Sequence, residues 1–359
     1  MTDAACRDCL ARTWLLERLA GHLDVARGRI ETLLALGDDD LIAAVAGRDA
    51  AAVRTGLETF AVEPAAQLRR ASGLEAICHC DVRYPPLLHG LGAAAPATVH
   101  VAGGLDRFLE LAAAAPAAIV GARRASPYAL EMARSLARGA GAGGVPVVSG
   151  LALGVDAAAH QGALDVGRAT IAVLPCAPER PYPAANRALH RRIVACGVAV
   201  SELGPGVSPR SWMFPARNRI IAALASVTVV AAARSGSGAL VTARWAAEIG
   251  RAVGAVPGQV TAPLSFGPHE LLRNGALLVA DPDDLLSAAR PGWTSRAPPT
   301  RSLQPGLQSL LDDLADGQQP ALAFARAGLG SQAGLAALAQ LELAGRIRRR
   351  AGGGFTVLG

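Results

Sequence analysis

Apolar residues recur in short runs between residues 116 and 280, and stretches with helical spacing separate these runs. The runs consist of Val, Ile, Ala and Leu without polar alternation, the pattern of strands covered by helices on both faces. Right-handed crossovers between such strands give an α/β fold with a doubly wound parallel sheet, extended and Rossmann-like. The predicted strands cover 117–120, 145–148, 169–174, 198–201, 226–232, 252–256 and 277–279.

Segments with other patterns flank this region. Residues 10–70 show helical spacing of Leu, Ile and Val and predict an all-helical module, which a proline-containing connector follows. Three helix-patterned pieces after residue 306 lead into a hairpin at Gly352-Gly353-Gly354, which predicts a winged helix. The predicted domains are a helical module over 1–76, the sheet domain over 77–289, a linker over 290–304 and a winged-helix domain over 305–359.

Composition and charge limit the class of protein and indicate which partners it can bind. The 359 residues are 51% hydrophobic, which is enough for a large buried core. The formal charge is +6 and all 35 basic residues are arginine, a balance that permits a polyanionic partner without requiring one. The first residues lack an export signal and we find no apolar run of membrane-spanning length, so we expect a cytoplasmic protein with no membrane association.

Six cysteines in a chain without an export signal do not predict disulfides. Cys6 and Cys9 have the spacing of metal ligands, and Cys78 and Cys80 form a second pair. Four thiolates would make a tetrahedral zinc site if the fold brought the two pairs together. Because the second pair is tighter than usual and remote in sequence, we expect separate reduced thiols, and therefore neither metal nor cofactor.

Ligands of doubly wound sheets gather at the carboxyl ends of the strands. After the first predicted strand come Gly121 and Arg123, followed by a helix that we expect Ser126 to cap, with Pro127 at its first position. A guanidinium at this edge suits a phosphate, which it can bind through two hydrogen bonds.

The second predicted strand ends in Ser149 and Gly150, and Gly154 precedes the next helix. Small residues there let the free N–H groups of a helix start approach an anion, although a tight turn explains the segment equally well. Asp156 and His160 are four residues apart and share a helix face. They could act as an acid–base pair, but a hydrogen bond between them that orients the loop is the preferred interpretation.

Residues 208–224 combine arginines with aromatic side chains and contain no acid. Arginines meet phosphates and aromatic rings stack on bases, so the segment is typical of a surface for single-stranded nucleic acid. The alternative is that the aromatic residues belong to the core. The residues concerned are Arg210, Trp212, Phe214, Arg217, Asn218 and Arg219.

These segments occur in a specific order: Gly121-Ala-Arg123, residues 149–160, Tyr182-Pro183, residues 214–222 and Val256-Pro-Gly258. In this combination they resemble the DprA/Smf family of bacterial DNA-processing proteins. The resemblance implies a homodimer without enzymatic activity that binds incoming single-stranded DNA during natural transformation, protects it and loads the RecA recombinase. It implies DNA contacts at Gly121, Arg123, Ser149, Gly150, Gly154, Phe214, Arg217, Asn218 and Arg219, a weaker one at Arg210, and structural support from Asp156 and His160.

Other functions are possible on the same fold. A nucleoside-phosphate hydrolase of the lysine-decarboxylase-like type would need a Pro-Gly-Gly-x-Gly-Thr loop followed by an acid, which the sequence lacks. A dinucleotide-dependent dehydrogenase would need Gly-x-Gly-x-x-Gly at the first strand-to-helix turn, which is also missing. An interaction scaffold that uses the winged helix is the remaining alternative.

Overall fold

The computed structural model describes residues 5–290, 292–294, 305–343, 346–349 and 354–357. The chain divides into two compact units at the junction between Trp293 and Thr294. Within the described residues, no helix is both long and apolar enough to cross a membrane.

A nine-stranded sheet forms the centre of the first unit. Its order is β1-β2-β6-β5-β4-β3-β7-β8-β9, with parallel pairing from β6 through to β9. At the other edge β1 is antiparallel to β2, and β2 is antiparallel to β6. The strands are β1 (Glu75–Cys78), β2 (Thr98–Ala102), β3 (Ala117–Gly121), β4 (Val147–Ser149), β5 (Thr170–Val173), β6 (Val198–Ser201), β7 (Val227–Ala232), β8 (Ala252–Ala255) and β9 (Leu277–Leu278).

The sheet is therefore mixed and mostly parallel, whereas the sequence predicted a parallel one. The seven predicted strands are present as β3 to β9, and the antiparallel strands β1 and β2 were missed. In β2 the polar residues Thr98 and His100 are buried alongside apolar neighbours, so the strand lacks the continuous apolar run by which the other strands were predicted. Strand β1 has only four residues at the end of the helical segment.

Helices cover both faces of the sheet. Successive residues of β3 point to opposite sides: Ala117 and Ile119 join one apolar cluster, and Ala118 and Val120 join the other. The helices of the first unit are α1 (Arg7–Arg18), α2 (Ala20–Val25), α3 (Ile30–Leu34), α4 (Asp38–Val45), α5 (Ala50–Glu58), α6 (Val62–Ala71), α7 (Pro86–His89), α8 (Leu105–Ala113), α9 (Pro127–Ala142), α10 (Val155–Asp165), α11 (Arg187–Cys196), α12 (Met213–Leu224), α13 (Gly238–Glu248), α14 (Phe266–Arg273) and α15 (Pro282–Ala289).

The helical segment α1–α6 packs against the segment that leads into α12. Trp212 is fully buried in the apolar cluster of the helical segment, so it is a core residue. Two carboxylates reinforce this contact: Glu17 accepts a hydrogen bond of 2.7 Å from the Gly204 N–H, and Asp24 accepts one of 2.9 Å from the Trp212 N–H. The helical segment thereby fixes the start of α12.

The second unit contains α16 (Pro305–Ala315), α17 (Pro320–Arg326), α18 (Ser331–Leu343) and the antiparallel pair β10 (Ile347–Arg349) and β11 (Phe355–Val357). Gly352 and Gly353 of the predicted hairpin turn lie outside the described residues, as do residues 295–304 of the predicted linker. The beginning of that predicted linker is attached to the first unit. The Arg290 guanidinium donates to the carbonyl oxygens of Gly143 and Gly144, at 2.9 and 2.7 Å.

Candidate nucleic-acid interface

The chain changes its winding direction at β3. It proceeds through β4, β5 and β6 on one side of β3, and through β7, β8 and β9 on the other. Such a switch opens a crevice beyond the carboxyl ends of the strands, where ligands of these sheets bind. A cavity of about 320 Å³ lies at this point. Its lining includes Gly121, Arg123, Asp156, Phe214, Arg217, Asn218, Ser237, Gly238 and Thr242.

Arg123 and Phe214 form the rim of this cavity. Arg123 is exposed, and its Cζ lies 5.2 Å from the centroid of the Phe214 ring. The Tyr182 ring packs against the same phenyl group, with centroids 5.5 Å apart and planes inclined by 58°. A second cavity, of about 130 Å³, is lined by these three residues together with Gly150 and Arg217. The rim therefore places a guanidinium beside aromatic faces, the combination that binds phosphates and bases of single strands.

Arg217 lies beneath the rim, with a side chain only 9% exposed. Its Nη1 donates to the carbonyl oxygens of Gly150 and, at 2.6 Å, Val173, and its Nη2 lies 3.8 Å from Asp156 Oδ2. The same carboxylate oxygen accepts hydrogen bonds from the backbone N–H groups of Gly150 and Ala152, at 3.2 and 3.3 Å. Arg217 thus stabilises the loop after β4 through its hydrogen bonds. It also lines both cavities.

Asp156 supports this loop, whereas His160 contacts Thr170 on the neighbouring strand β5. Burial raises the pKa of Asp156, and the charge of Arg217 and the backbone N–H groups oppose that rise. The Thr170 hydroxyl donates to the Val147 carbonyl at 2.7 Å, so it accepts from His160 Nδ1 at 2.8 Å. Burial and the charge of Arg217 lower the pKa of His160 to about 3, which leaves the imidazole neutral at pH 7. The hydrogen bond between Asp156 and His160 expected from their spacing is therefore replaced by two independent contacts.

Ser149, Gly150 and Gly154 maintain the tight turn that follows β4. The Ser149 side chain is fully buried and donates to the Ile119 carbonyl at 2.7 Å, so its hydroxyl joins β4 to β3 and is not available to a phosphate. At Gly150 a Cβ would overlap the Arg217 guanidinium. At Gly154, where φ is +80°, a Cβ would overlap backbone atoms of the loop after β3. The segment is thus a tight turn whose compactness lets it line the cavities.

Arg219 belongs to the protein interior. The residue is 1% exposed, and its guanidinium contacts the Glu202 carboxylate and the carbonyl oxygens of Ala94 and Ala216, the latter two at 2.7 Å. The expectation that Arg219 contacts DNA is therefore corrected. Two residues along a helix correspond to a rotation of about 200°, so Arg217 and Arg219 point to opposite sides of α12.

Two other predicted contacts have different surroundings. The Asn218 amide donates to the Gly238 carbonyl at 3.1 Å and accepts from Arg217 Nε at 3.2 Å, so it connects α12 to the start of α13 at the cavity wall. Arg210 is exposed, lies 3.7 Å from Asp24 of the helical segment and is not among the residues that line either cavity.

The start of α13 is a part of the site that the sequence indicated only weakly, because the small-residue helix entry at 234–240, with Thr242 just inside, is a weak signal when taken singly. Ser237 precedes this eleven-residue helix, and its hydroxyl is buried without a hydrogen-bond partner among the described residues. Ser237, Gly238 and Thr242 all line the larger cavity. The sequence signal was the run of small residues between β7 and the next helix. The same pattern occurs between β4 and α10.

The two cysteine pairs lie together, away from these cavities. The Sγ atoms of Cys6, Cys9, Cys78 and Cys80 all fall within 4.8 Å of one another. The expectation that the pairs remain separate is therefore corrected, because the packing of α1 beside the end of β1 brings distant parts of the sequence together.

The sequence is similar to those of a known protein family. Residues 75–290, more than half of the chain, match a family described as DNA recombination-mediator protein A. The chain belongs to the DprA/Smf family. The matched residues contain the whole nine-stranded sheet and the residues that line both cavities.

Curated DprA/Smf relatives show the same relationship. The putative DNA processing protein DprA of Mycobacterium tuberculosis is 47% identical over 178 residues, which are 50% of this chain and 46% of that protein. Protein Smf of Escherichia coli is 38% identical over 247 residues, 66% of each chain. The chain thus spans about half the length of the mycobacterial relative.

Two solved DprA structures share the fold. The Streptococcus pneumoniae protein superimposes with a TM-score of 0.61 at 33% identity, over 70% of this chain and 86% of that one. The Helicobacter pylori protein, described for its single-stranded DNA binding mode, gives a TM-score of 0.53 at 28% identity over 60% and 94% of the two chains. The family assignment inferred from the motifs is confirmed.

Proposed function

We propose that this protein binds single-stranded DNA at the carboxyl edge of its sheet. The observation that carries the proposal is the rim of the switch-point cavity, where the exposed Arg123 guanidinium lies over Phe214 and Phe214 packs on Tyr182. Arg123 meets the phosphates, the aromatic faces stack on bases, and the start of α13 adds the free N–H groups of a helix terminus. The single-stranded DNA binding described for the Helicobacter pylori relative supports this assignment.

Three exposed arginines near the rim can bind a polyanion. Arg123, Arg124 and Arg234 are exposed and follow the carboxyl ends of β3 and β7. In the described part of the chain, none of the three forms an ion pair with a carboxylate. Asp156 is the acid that lines the larger cavity, and its carboxylate already accepts backbone hydrogen bonds. Phosphates can therefore approach without breaking an ion pair of these arginines.

The protein acts by binding, without a catalytic step. Asp156 and His160, the acid and base suggested by the sequence, are buried, and each makes a structural hydrogen bond. A nucleoside-phosphate hydrolase is the alternative on this fold, and its glycine-rich loop is missing from the sequence. Release of free base from nucleoside monophosphates by the purified protein would establish that alternative.

Family membership supports a wider role. We propose that a homodimer protects incoming DNA in the cytoplasm during natural transformation and loads RecA onto it. The order of three helices and a hairpin in the second unit supports a winged helix there. Light scattering of the full chain tests the dimer. RecA filament assembly on DNA coated with the protein tests the loading step.

A salt-titrated anisotropy assay with single-stranded DNA, duplex DNA and a mononucleotide tests the binding proposal. We expect tight, sequence-indifferent binding to the single strand. Arg123→Ala should weaken it and, if Arg123 meets one phosphate, reduce the slope of log K against log salt by about 0.7. Arg138→Ala is the matched control, because Arg138 lies on α9 and pairs with Glu131. Preference for duplex DNA, or equal affinity of the two variants, would contradict the proposal.

A further inference from the structure

A cluster of four cysteines joins α1 to β1. Cys6 and Cys9 lie at the start of α1, Cys78 is the last residue of β1, and Cys80 lies in the turn that follows. Their Sγ atoms are within 4.8 Å of one another, and those of Cys9 and Cys80 are 3.7 Å apart. Cys9 and Cys78 are buried, whereas Cys80 is exposed.

These distances fit a single metal ion. Zinc–sulfur bonds of about 2.3 Å in a tetrahedron place the sulfur atoms about 3.8 Å apart. The Sγ atoms of Cys9 and Cys80 already have this spacing, at 3.7 Å, and the other pairs lie within 4.8 Å. The backbone N–H of Cys6 donates to Cys78 Sγ at 3.4 Å, the kind of contact that orients and stabilises a thiolate ligand. The twelve-residue helix α1 also begins at the cluster, and the positive end of a helix favours thiolates.

We propose that Cys6, Cys9, Cys78 and Cys80 bind a structural zinc ion that fastens the helical segment to the sheet. Four protein ligands fill all the positions of a tetrahedral ion, which is the arrangement of structural sites and not of catalytic ones. None of the four cysteines lines either cavity of the DNA interface. Cys6 and Cys9 lie outside the residues that match the family, so the site depends on a feature of this chain's helical segment.

The ion would act on the DNA interface through packing. Helix α1 carries Glu17, which accepts a hydrogen bond from Gly204, and α2 carries Asp24, which accepts one from Trp212 just before α12. By holding α1 against β1, zinc would keep these contacts in place. They position α12, which carries Arg217 at the wall of both cavities.

Elemental analysis of the full chain, purified without added metal, tests this proposal. We expect one zinc ion per chain, the stoichiometry of a four-thiolate site. Cys9→Ser and Cys80→Ser should lose it, and the exposed Cys80 makes the second variant tolerable to the fold. Cys196→Ser is the matched control, because Cys196 is exposed at the end of α11, apart from the cluster. Cobalt substitution should give thiolate-to-metal charge-transfer absorption in the wild type and the control, and lose it in the cluster variants.

Other outcomes would overturn the proposal. Six titratable thiols in the unfolded chain, without metal, would show that the four cluster cysteines are merely reduced. Iron in place of zinc would show a different metal centre. An intact mass lowered by the hydrogen atoms lost in disulfide formation would show that the close Cys9 and Cys80 sulfurs are oxidised. Zinc that persists in both cluster variants would place the ion elsewhere.

Discussion

Arg219 and Arg123 occupy the same sequence-predicted set of DNA contacts, and the structure gives them opposite surroundings. Arg219→Met removes a buried guanidinium that contacts the Glu202 carboxylate and two backbone carbonyl oxygens. Methionine retains much of the apolar length of arginine, so the change removes charge and hydrogen bonds more than volume. Arg123→Met removes an exposed guanidinium at the rim.

Arg219→Met loses stability because it leaves the Glu202 carboxylate buried without its partner. A buried Glu202 without its partner costs about 3–5 kcal/mol of unfolding free energy. Unfolding entropy scales with chain length and is about 0.6 kcal/mol/K for a unit of about 290 residues. A loss of about 4 kcal/mol therefore lowers the melting temperature by about 7 °C. Adding Glu202→Gln should recover part of this loss, because the amide no longer leaves an unpaired charge in the interior.

Thermal unfolding by circular dichroism and single-stranded DNA anisotropy below the transition check both variants. Arg219→Met should melt earlier and retain wild-type affinity, since the side chain does not reach the rim. Arg123→Met should melt within about 1 °C of the wild type, because substitution of an exposed side chain changes stability by about 0.5 kcal/mol or less. Its affinity should fall. An Arg219→Met protein with normal stability and lost DNA binding would refute the reasoning.

Three further predictions concern buried histidines and the loop after β4. Burial lowers the pKa values of His100 and His160 to about 3, against an ordinary value of 6.5. As pH falls below 6.5 the unfolded chain takes up protons before the folded one, so the free energy of unfolding at pH 5.5 should be about 1.4 kcal/mol per histidine lower than at roughly pH 8. Melting curves at the two pH values measure this difference, and pH-independent stability would contradict it. Gly154→Ala should destabilise more than Gly167→Ala, since both have positive φ but only Gly154 lies against neighbouring backbone, and equal melting temperatures would argue against that close approach. Asp156→Asn should lower stability and single-stranded DNA affinity because a neutral amide loses the ion pair with the adjacent guanidinium, whereas unchanged affinity would exclude its supporting role.

Local sequence patterns were sufficient where one segment carries its own signal. Strands β3 to β7 are buried apolar runs because helices cover both faces of the sheet there. Ser126 caps α9 as its position before Pro127 predicted, accepting from the Ala129 N–H at 3.2 Å. The antiparallel strands β1 and β2 escaped prediction because neither is a continuous apolar run like β3 to β7. Strand β1 has only four residues, and β2 contains the buried polar residues Thr98 and His100.

The sequence by itself determined the fold class of the sheet, its functional edge and the family, because these depend on residue types at short, fixed spacings. Tertiary structure alone decided the role of each side chain. Arg217 reaches the cavities while Arg219 pairs with Glu202 in the core, although both follow Phe214 in one motif. Likewise Cys6 and Cys78 meet only when α1 packs beside β1. Exposure and partners are set by distant segments, since burial depends on what packs against a residue, and no local pattern contains that information.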